Sequence, residues 1–314
     1  MAAVVLGARS IMASASKPSA DPHGPPITVV IPPGSDAADI GDILQRRGVV
    51  DDAGRFRDYA KSQGQGSDFK AGTYELRAGT DYDRIFAVLD AGPTPLVKKL
   101  VVPEGYRNSQ IAGELPSVGV SPHAWKRALR AAAPPPGFGH HVNMEGFMFP
   151  ATYAIRPHQP AALLVQNQLA AFRENWAHVD MAYARSRNLT NYDVLTIASM
   201  IEREASVAGD RAKVAAVIYN RLRRGMALGI DATILYHLGS WSATIHQSDI
   251  DQIEPYNTRK VAGLPPTPIC NPGVASIEAA AHPAKVDYLY YVAVPGQAAQ
   301  YFTASYSDFK AHGG

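Results

Sequence analysis

The chain has 314 residues, of which 46% are hydrophobic and 18% charged, with a formal net charge of +2. That length allows one large domain or two smaller ones with sizeable cores, and the composition is that of an ordinary globular protein. A near-neutral balance, with no basic cluster beyond Arg221 to Arg224, argues against nucleic acid as a partner, and the single Cys270 excludes an intrachain disulfide and a cysteine-built zinc site.

Residues 1–26 begin with a short apolar stretch, Met1 to Gly7, and end in a Pro- and Gly-rich linker, Asp21 to Pro26. The apolar part falls short of the roughly 20 residues of a membrane span and lacks the basic leader of a secretory signal. A disordered leader is expected there. Residues 27–95 read as a small α+β unit, because the β-branched run Ile27 to Ile31 stops at Pro32-Pro33-Gly34 and Ile40, Ile43 and Leu44 follow at helical spacing. The same strand-turn-helix pattern recurs at Val102-Pro103-Glu104-Gly105 with Ile111 and Leu115, and more loosely at Tyr74 to Gly79 with Ile85 and Leu89. Such units are common, so the repetition alone assigns no function.

Proline, glycine and histidine from about 135 to 143 mark a boundary or an exposed loop. The pair His140-His141 has neither the helical i, i+4 spacing nor the carboxylate companion of a metal site, and no metal is expected. Next, Glu145 to Ile155 places a carboxylate beside Phe147, Phe149 and Tyr153. Aromatic rings beside polar groups suit a sugar-binding cleft, where C–H faces pack on rings and hydroxyls need partners; they suit a core equally well.

The most informative stretch is a helical hairpin from Leu195 to Thr233. Thr190 with Asp193 predicts the N-cap of its first helix. On a helical wheel Val194, Ile197, Ile201, Ala208 and Met200 form an apolar stripe; Glu204 falls inside it, whereas Glu202 and Arg203 fall outside. A carboxylate in that position loses hydration, so its pKa rises, as suits a group that donates a proton and then takes one back. The position also suits a buried ion pair with an arginine from elsewhere. A second helix is predicted from a cap at Asp210 to residue 224, ending before Gly225. The last third holds a helix from Ser276 to Ala281, a strand from Tyr288 to Val294 and a returning strand at Tyr301 to Thr303.

The run Ala198 to Glu204, then Asn220-Arg221-Leu222 and Asp231-Ala232-Thr233, resembles the YceG-like endolytic murein lytic transglycosylases. Glu145 to Pro150, Tyr256-Asn257-Thr258, Gly263 to Pro266, and Ala281 to Ala284 with Tyr288-Leu289-Tyr290 match in the same order, and an ordered series of this kind is specific. The resemblance implies an α+β fold: a LysM-like subdomain at 27–95 that holds glycan, then a mixed α/β catalytic domain at 96–314 built around the hairpin. It implies peptidoglycan strands as substrate, penicillin-binding peptidoglycan synthases as partners, no cofactor, and work at the outer face of the cytoplasmic membrane. It implies that residues 1–26 are a shortened membrane anchor where they are not a disordered leader, with membrane contact only through that N-terminal anchor if one is present. Glu204 matches the family's catalytic glutamate. Asn220, Asp231, Thr233, Tyr256, Asn257, Thr258 and Glu145 are candidates for lining the cleft. The chain departs from the family at Ala151 for an aspartate, at Gly229 for a glutamine, at Ala232 for a proline, and at Gln300 and Phe309 for histidines.

Ordinary glycoside hydrolases use two carboxylates. A lytic transglycosylase works with one, which protonates the glycosidic oxygen and then deprotonates the C6 hydroxyl of the same N-acetylmuramyl residue to close a 1,6-anhydro ring. Two other readings stand beside it: a hydrolysing muramidase whose second carboxylate is Glu145 or Asp231, and a catalytically idle glycan-binding scaffold.

Overall fold

The computed structural model describes residues 24–64, 69–93, 97–139 and 143–314. The expected leader, up to residue 23, and the His140-His141 pair lie outside the described residues. The chain divides into two units, one through Leu96 and one from Val97 onward.

In the first unit β1 (Ile27–Ile31) and α1 (Ala37–Arg46) are followed by α2 (Ala53–Ser62), β2 (Gly72–Leu76) and α3 (Tyr82–Ala91). The two strands pair antiparallel, Ile27 opposite Leu76. Period-2 alternation turns Val29, Ile31, Tyr74 and Leu76 inward, where Ile40, Leu44, Phe56, Ile85 and Leu89 close the core. A reciprocal capping box between Asp36 and Asp39 starts α1.

The second unit opens with β3 (Lys98–Val102), α4 (Asn108–Glu114) and α5 (Pro122–Ala131), then β4 (Ala151–Ile155), which pairs antiparallel with β3. Next come α6 (Ala161–Trp176), α7 (Ala182–Ser186), α8 (Asn191–Glu204), α9 (Arg211–Arg223), α10 (Asp231–His237), α11 (Gln247–Asp251) and α12 (Val274–Ala281). A hairpin of β5 (Tyr290–Ala293) and β6 (Gln300–Thr303) precedes α13 (Tyr306–Ala311). Phe147, Phe149 and Tyr153 are buried, with Phe147 packed edge-on to Phe138 and Phe172. Of the two roles those aromatics suit, the fold gives them that of a core.

The helix α8 is the axis of this unit. Thr190 and Asp193 close its capping box, the threonine hydroxyl accepting from the Asp193 amide at 3.1 Å and the aspartate from the Thr190 amide at 2.8 Å. Every residue from Val194 to Ile201 is buried, so the middle of α8 has no solvent face and no single apolar stripe. The helix also stops at Glu204, which removes Ala208 from the predicted wheel. What distinguishes Glu204 is its place as the last helical residue, three positions past the end of the fully buried segment.

Asp210 precedes α9 as expected, but its carboxylate does not cap that helix. It instead accepts the Gln300 amide at 2.8 Å and the Lys213 ammonium at 3.1 Å, tying the start of α9 to β6. Asn271, fully buried, links three separated segments. Its side chain donates to the Tyr106 carbonyl and the Asn108 side-chain oxygen and accepts the Met148 amide, while Ser199 of α8 accepts the Ile269 amide. Among the described residues no helix is long and apolar enough to cross a membrane.

Candidate active site

Glu204 ends α8 partly buried, facing both the β5–β6 hairpin and the start of α10. The Tyr291 hydroxyl donates to its Oε2 at 2.9 Å, and the Gln300 side-chain amide donates to its main-chain carbonyl at 3.2 Å. From α10 the Ala232 backbone amide donates to the carboxyl group, and the Asp231 carboxylate lies within electrostatic reach. Asp231 is itself held by Arg259, whose Nε donates to its Oδ1 at 2.7 Å.

These surroundings raise the Glu204 pKa above the ordinary 4.5. Burial is the largest cause and the Asp231 charge adds to it, opposed by the Tyr291 hydroxyl, the Ala232 amide and the Arg259 guanidinium. A carboxyl so placed holds a proton at pH values where a free glutamic acid has lost it, yet keeps donors ready for its charged form.

The neighbouring acidic and basic residues of α8 are engaged elsewhere. Glu202 accepts the Gly273 amide at 3.0 Å and so caps α12, while the Arg203 guanidinium stacks over Trp241, 4.3 Å from the ring centre.

The other sequence candidates fall into three groups. Asp231 alone among them joins Glu204. Thr233 and Thr258 are buried and share a 3.1 Å hydroxyl contact, with Thr258 also accepting the Ile230 amide at 3.0 Å. The Asn257 side-chain amide donates to the carbonyls of Asp249, Ile250 and Gln252, and its oxygen accepts the Arg259 amide at 3.1 Å. These three residues brace the loops that carry Asp231 and Arg259. The Asn220 amide donates to the Val286 and Tyr288 carbonyls at 3.0 and 2.9 Å, fixing the approach to β5.

Tyr256 and Glu145 stand together in another cluster, linked through Tyr236. Tyr256 packs against the Tyr236 ring and bonds the Thr267 hydroxyl at 2.9 Å. Glu145 accepts the Asn108 amide at 2.8 Å and the Tyr236 hydroxyl at 3.2 Å. The sequence alone gives Tyr291, Arg259 and Gln300 no place in the site. Tyr291 lay inside the predicted strand, where alternation alone shows that every second side chain shares a face; Arg259 meets Asp231 across 28 positions with no local pattern to announce it.

The YceG-like family model matches residues 29–313. The endolytic murein transglycosylase of Bacillus subtilis (strain 168) is 33% identical over 285 residues, covering 85% of this chain and 78% of that protein. The endolytic murein transglycosylase of Streptococcus pneumoniae (strain R6) is 32% identical over 319 residues, covering 90% of this chain and 57% of its own length. Among solved structures, a yceG-like protein from Listeria monocytogenes superposes with a TM-score of 0.57 at 32% identity, over 91% of this chain and 98% of that one. A matched segment running through nearly the whole chain, with Glu204 and its neighbours inside it, places the protein: it belongs to the YceG-like family.

Proposed function

We propose that the protein is an endolytic murein transglycosylase, cutting the bond between N-acetylmuramic acid and N-acetylglucosamine within glycan strands and leaving 1,6-anhydro-N-acetylmuramic acid ends. The observation that carries this reading is the Glu204 carboxyl group, partly buried, raised in pKa and surrounded by hydrogen-bond donors at the end of α8. The names of the Bacillus and Streptococcus relatives support it.

In the mechanism Glu204 serves twice. As the acid it protonates the glycosidic oxygen while the C1–O bond breaks and its electron pair goes to the leaving sugar. As the base it then takes the C6 hydroxyl proton while that oxygen bonds to C1, so no water is consumed. The Tyr291 and Ala232 donors offset the charge left on the carboxylate between the two steps.

The first unit, with its antiparallel β1–β2 pair and a core of its own, is the LysM-like part that holds a strand while it is cut. The setting is the outer face of the cytoplasmic membrane beside the peptidoglycan synthases, where cutting nascent strands limits their length.

Digestion of glycan strands followed by mass spectrometry tests this. Glu204→Gln is expected to lower cleavage by about 10²–10⁴-fold with the fold intact, because an amide neither gives nor takes the proton. Glu202→Gln costs far less, since the Glu202 carboxylate is engaged with the Gly273 amide at the start of α12 and not with Glu204's partners. Asp231 stands near enough to Glu204 to make a hydrolysing muramidase the competing reading. Its products are heavier by one water, so reducing-end muramic acid in the digest decides against the transglycosylase.

A further inference from the structure

We propose that Tyr291 is a positioning residue for the reaction: its hydroxyl occupies Glu204 Oε2 and so assigns the travelling proton to Oε1. This rests on the reading of Glu204 as acid and base.

Tyr291 is held by main-chain bonds on both sides of the hairpin. In the β5–β6 register Tyr291 lies opposite Phe302 and Ala293 opposite Gln300, so Tyr291 and Gln300 share one face. Gln300 fastens that face to the end of α8 through the Glu204 carbonyl, and to the start of α9 through its own amide on Asp210. On the other strand Arg221 Nε donates to the Leu289 carbonyl at 2.6 Å, and Asn220 donates to the carbonyls of Val286 and Tyr288. The hydroxyl therefore reaches Oε2 from a braced position and not from a freely rotating side chain.

A donor on Oε2 has two chemical effects. In the protonated acid it favours the form in which Oε2 is the carbonyl oxygen and Oε1 carries the hydrogen. When that hydrogen leaves for the glycosidic oxygen, the bond from Tyr291 becomes charge-assisted and strengthens; it weakens again when the C6 hydroxyl proton returns. The phenol does not compete as a base, since burial and the adjacent Glu204 push its own pKa well above 10. The other groups facing this carboxyl are Asp231, the Ala232 amide and Arg259, with Gln300 on its main chain, while Arg221 lies over the Tyr290 ring and within electrostatic reach of the Tyr291 hydroxyl. None of those side chains donates to Oε2 in place of the phenol.

The test is Tyr291→Phe, which deletes one oxygen and keeps the ring. On glycan strands kcat is expected to fall about tenfold, a fraction of the 10²–10⁴ attributed to acid–base catalysis, with KM unchanged. The basic limb of the pH profile moves upward, because the charged form has lost a donor. In parallel, the Glu204 carboxyl resonance, assigned in ¹³C-glutamate-labelled protein by its absence in Glu204→Gln, titrates at higher pH in Tyr291→Phe than in the parent. Tyr288→Phe, the same deletion three residues away, leaves both readouts where they were. An unmoved Glu204 titration in Tyr291→Phe overturns the proposal whatever happens to kcat, as does an equal response from Tyr288→Phe. Failure of the parent protein to cut glycan strands overturns the transglycosylase reading instead, and the titration still decides where the Tyr291 bond acts.

Discussion

At the scale of single residues, carboxyl groups carry most of the pH dependence. Glu145 is 6% exposed, and burial lifts its pKa from the ordinary 4.5 to about 7, against the opposing pull of the Asn108 amide, the Tyr236 hydroxyl and Arg107. The folded state thus keeps a proton that the unfolded chain releases near 4.5, so stability falls as pH rises through that interval, by roughly 3 kcal/mol in all. Glu145→Gln is expected to flatten the urea midpoint between pH 5 and 8 while matching the parent at pH 5; a midpoint that still drops across that range removes Glu145 as the cause. Glu204 obeys the same rule with an effect on rate. Asp231 raises its pKa through charge, so Asp231→Asn lowers it and shifts the basic limb of cleavage toward lower pH. A limb displaced upward in that variant shows that Arg259, released from Asp231, has moved away from Glu204 and taken its lowering charge with it. In sequence Glu145 and Asp231 are equal candidates, and only the fold separates them, since nothing in local spacing tells which of two distant loops meets the end of α8.

At the scale of elements, the strand-turn-helix units at β1–α1, β2–α3 and β3–α4, the hairpin of α8 and α9, and the β5–β6 pair were legible because each has a period, a cap or a turn within a few residues. On a helical wheel Glu204 stands out against an apolar stripe, but α8 is buried all round over two turns, so no stripe singles out one face. Long-range satisfaction was not legible. Asp210 looks like a helix cap in sequence and serves β6 instead, and Asn271 joins segments more than 100 positions apart. The turn that seats Glu145 beside α8 offers a direct check on this packing. Gly146 has φ +93°, and a Cβ there would lie 2.8 Å from Pro268 Cβ and 3.2 Å from Leu195 Cδ2. A proline ring cannot rotate aside, so Gly146→Ala combines backbone strain with overpacking and is expected to cost about 3 kcal/mol, read as a lowered denaturation midpoint. A neutral effect means that the loop of Pro268 yields more readily than its buried contacts with α8 suggest.

At the scale of the whole molecule, the two hydrophobic cores divide cleanly between the units. One is built from residues between Val29 and Leu89 and the other from residues between Leu100 and Ala281, and among the described residues neither core cluster borrows a buried side chain from the other side of the division. Hydrophobic burial is the main favourable term in folding, so each unit holds its own driving force and is expected to unfold as its own cooperative step. Among the described residues, a protein beginning at Val97 carries the groups bonded to Glu204, namely Tyr291, Gln300 and Ala232, and the charges of Asp231 and Arg259 that act on it. It is expected to fold, to show one of the two calorimetric transitions of the full chain, and to keep kcat on short glycan fragments within about threefold. If the first unit holds strands, the loss then appears in KM on long glycan and not in kcat, because a distant binding unit adds effective concentration without touching the reacting bond. A kcat that collapses in the shortened but folded protein assigns the first unit a part in shaping the Glu204 site; an unchanged KM on long strands leaves that unit without a glycan-holding role.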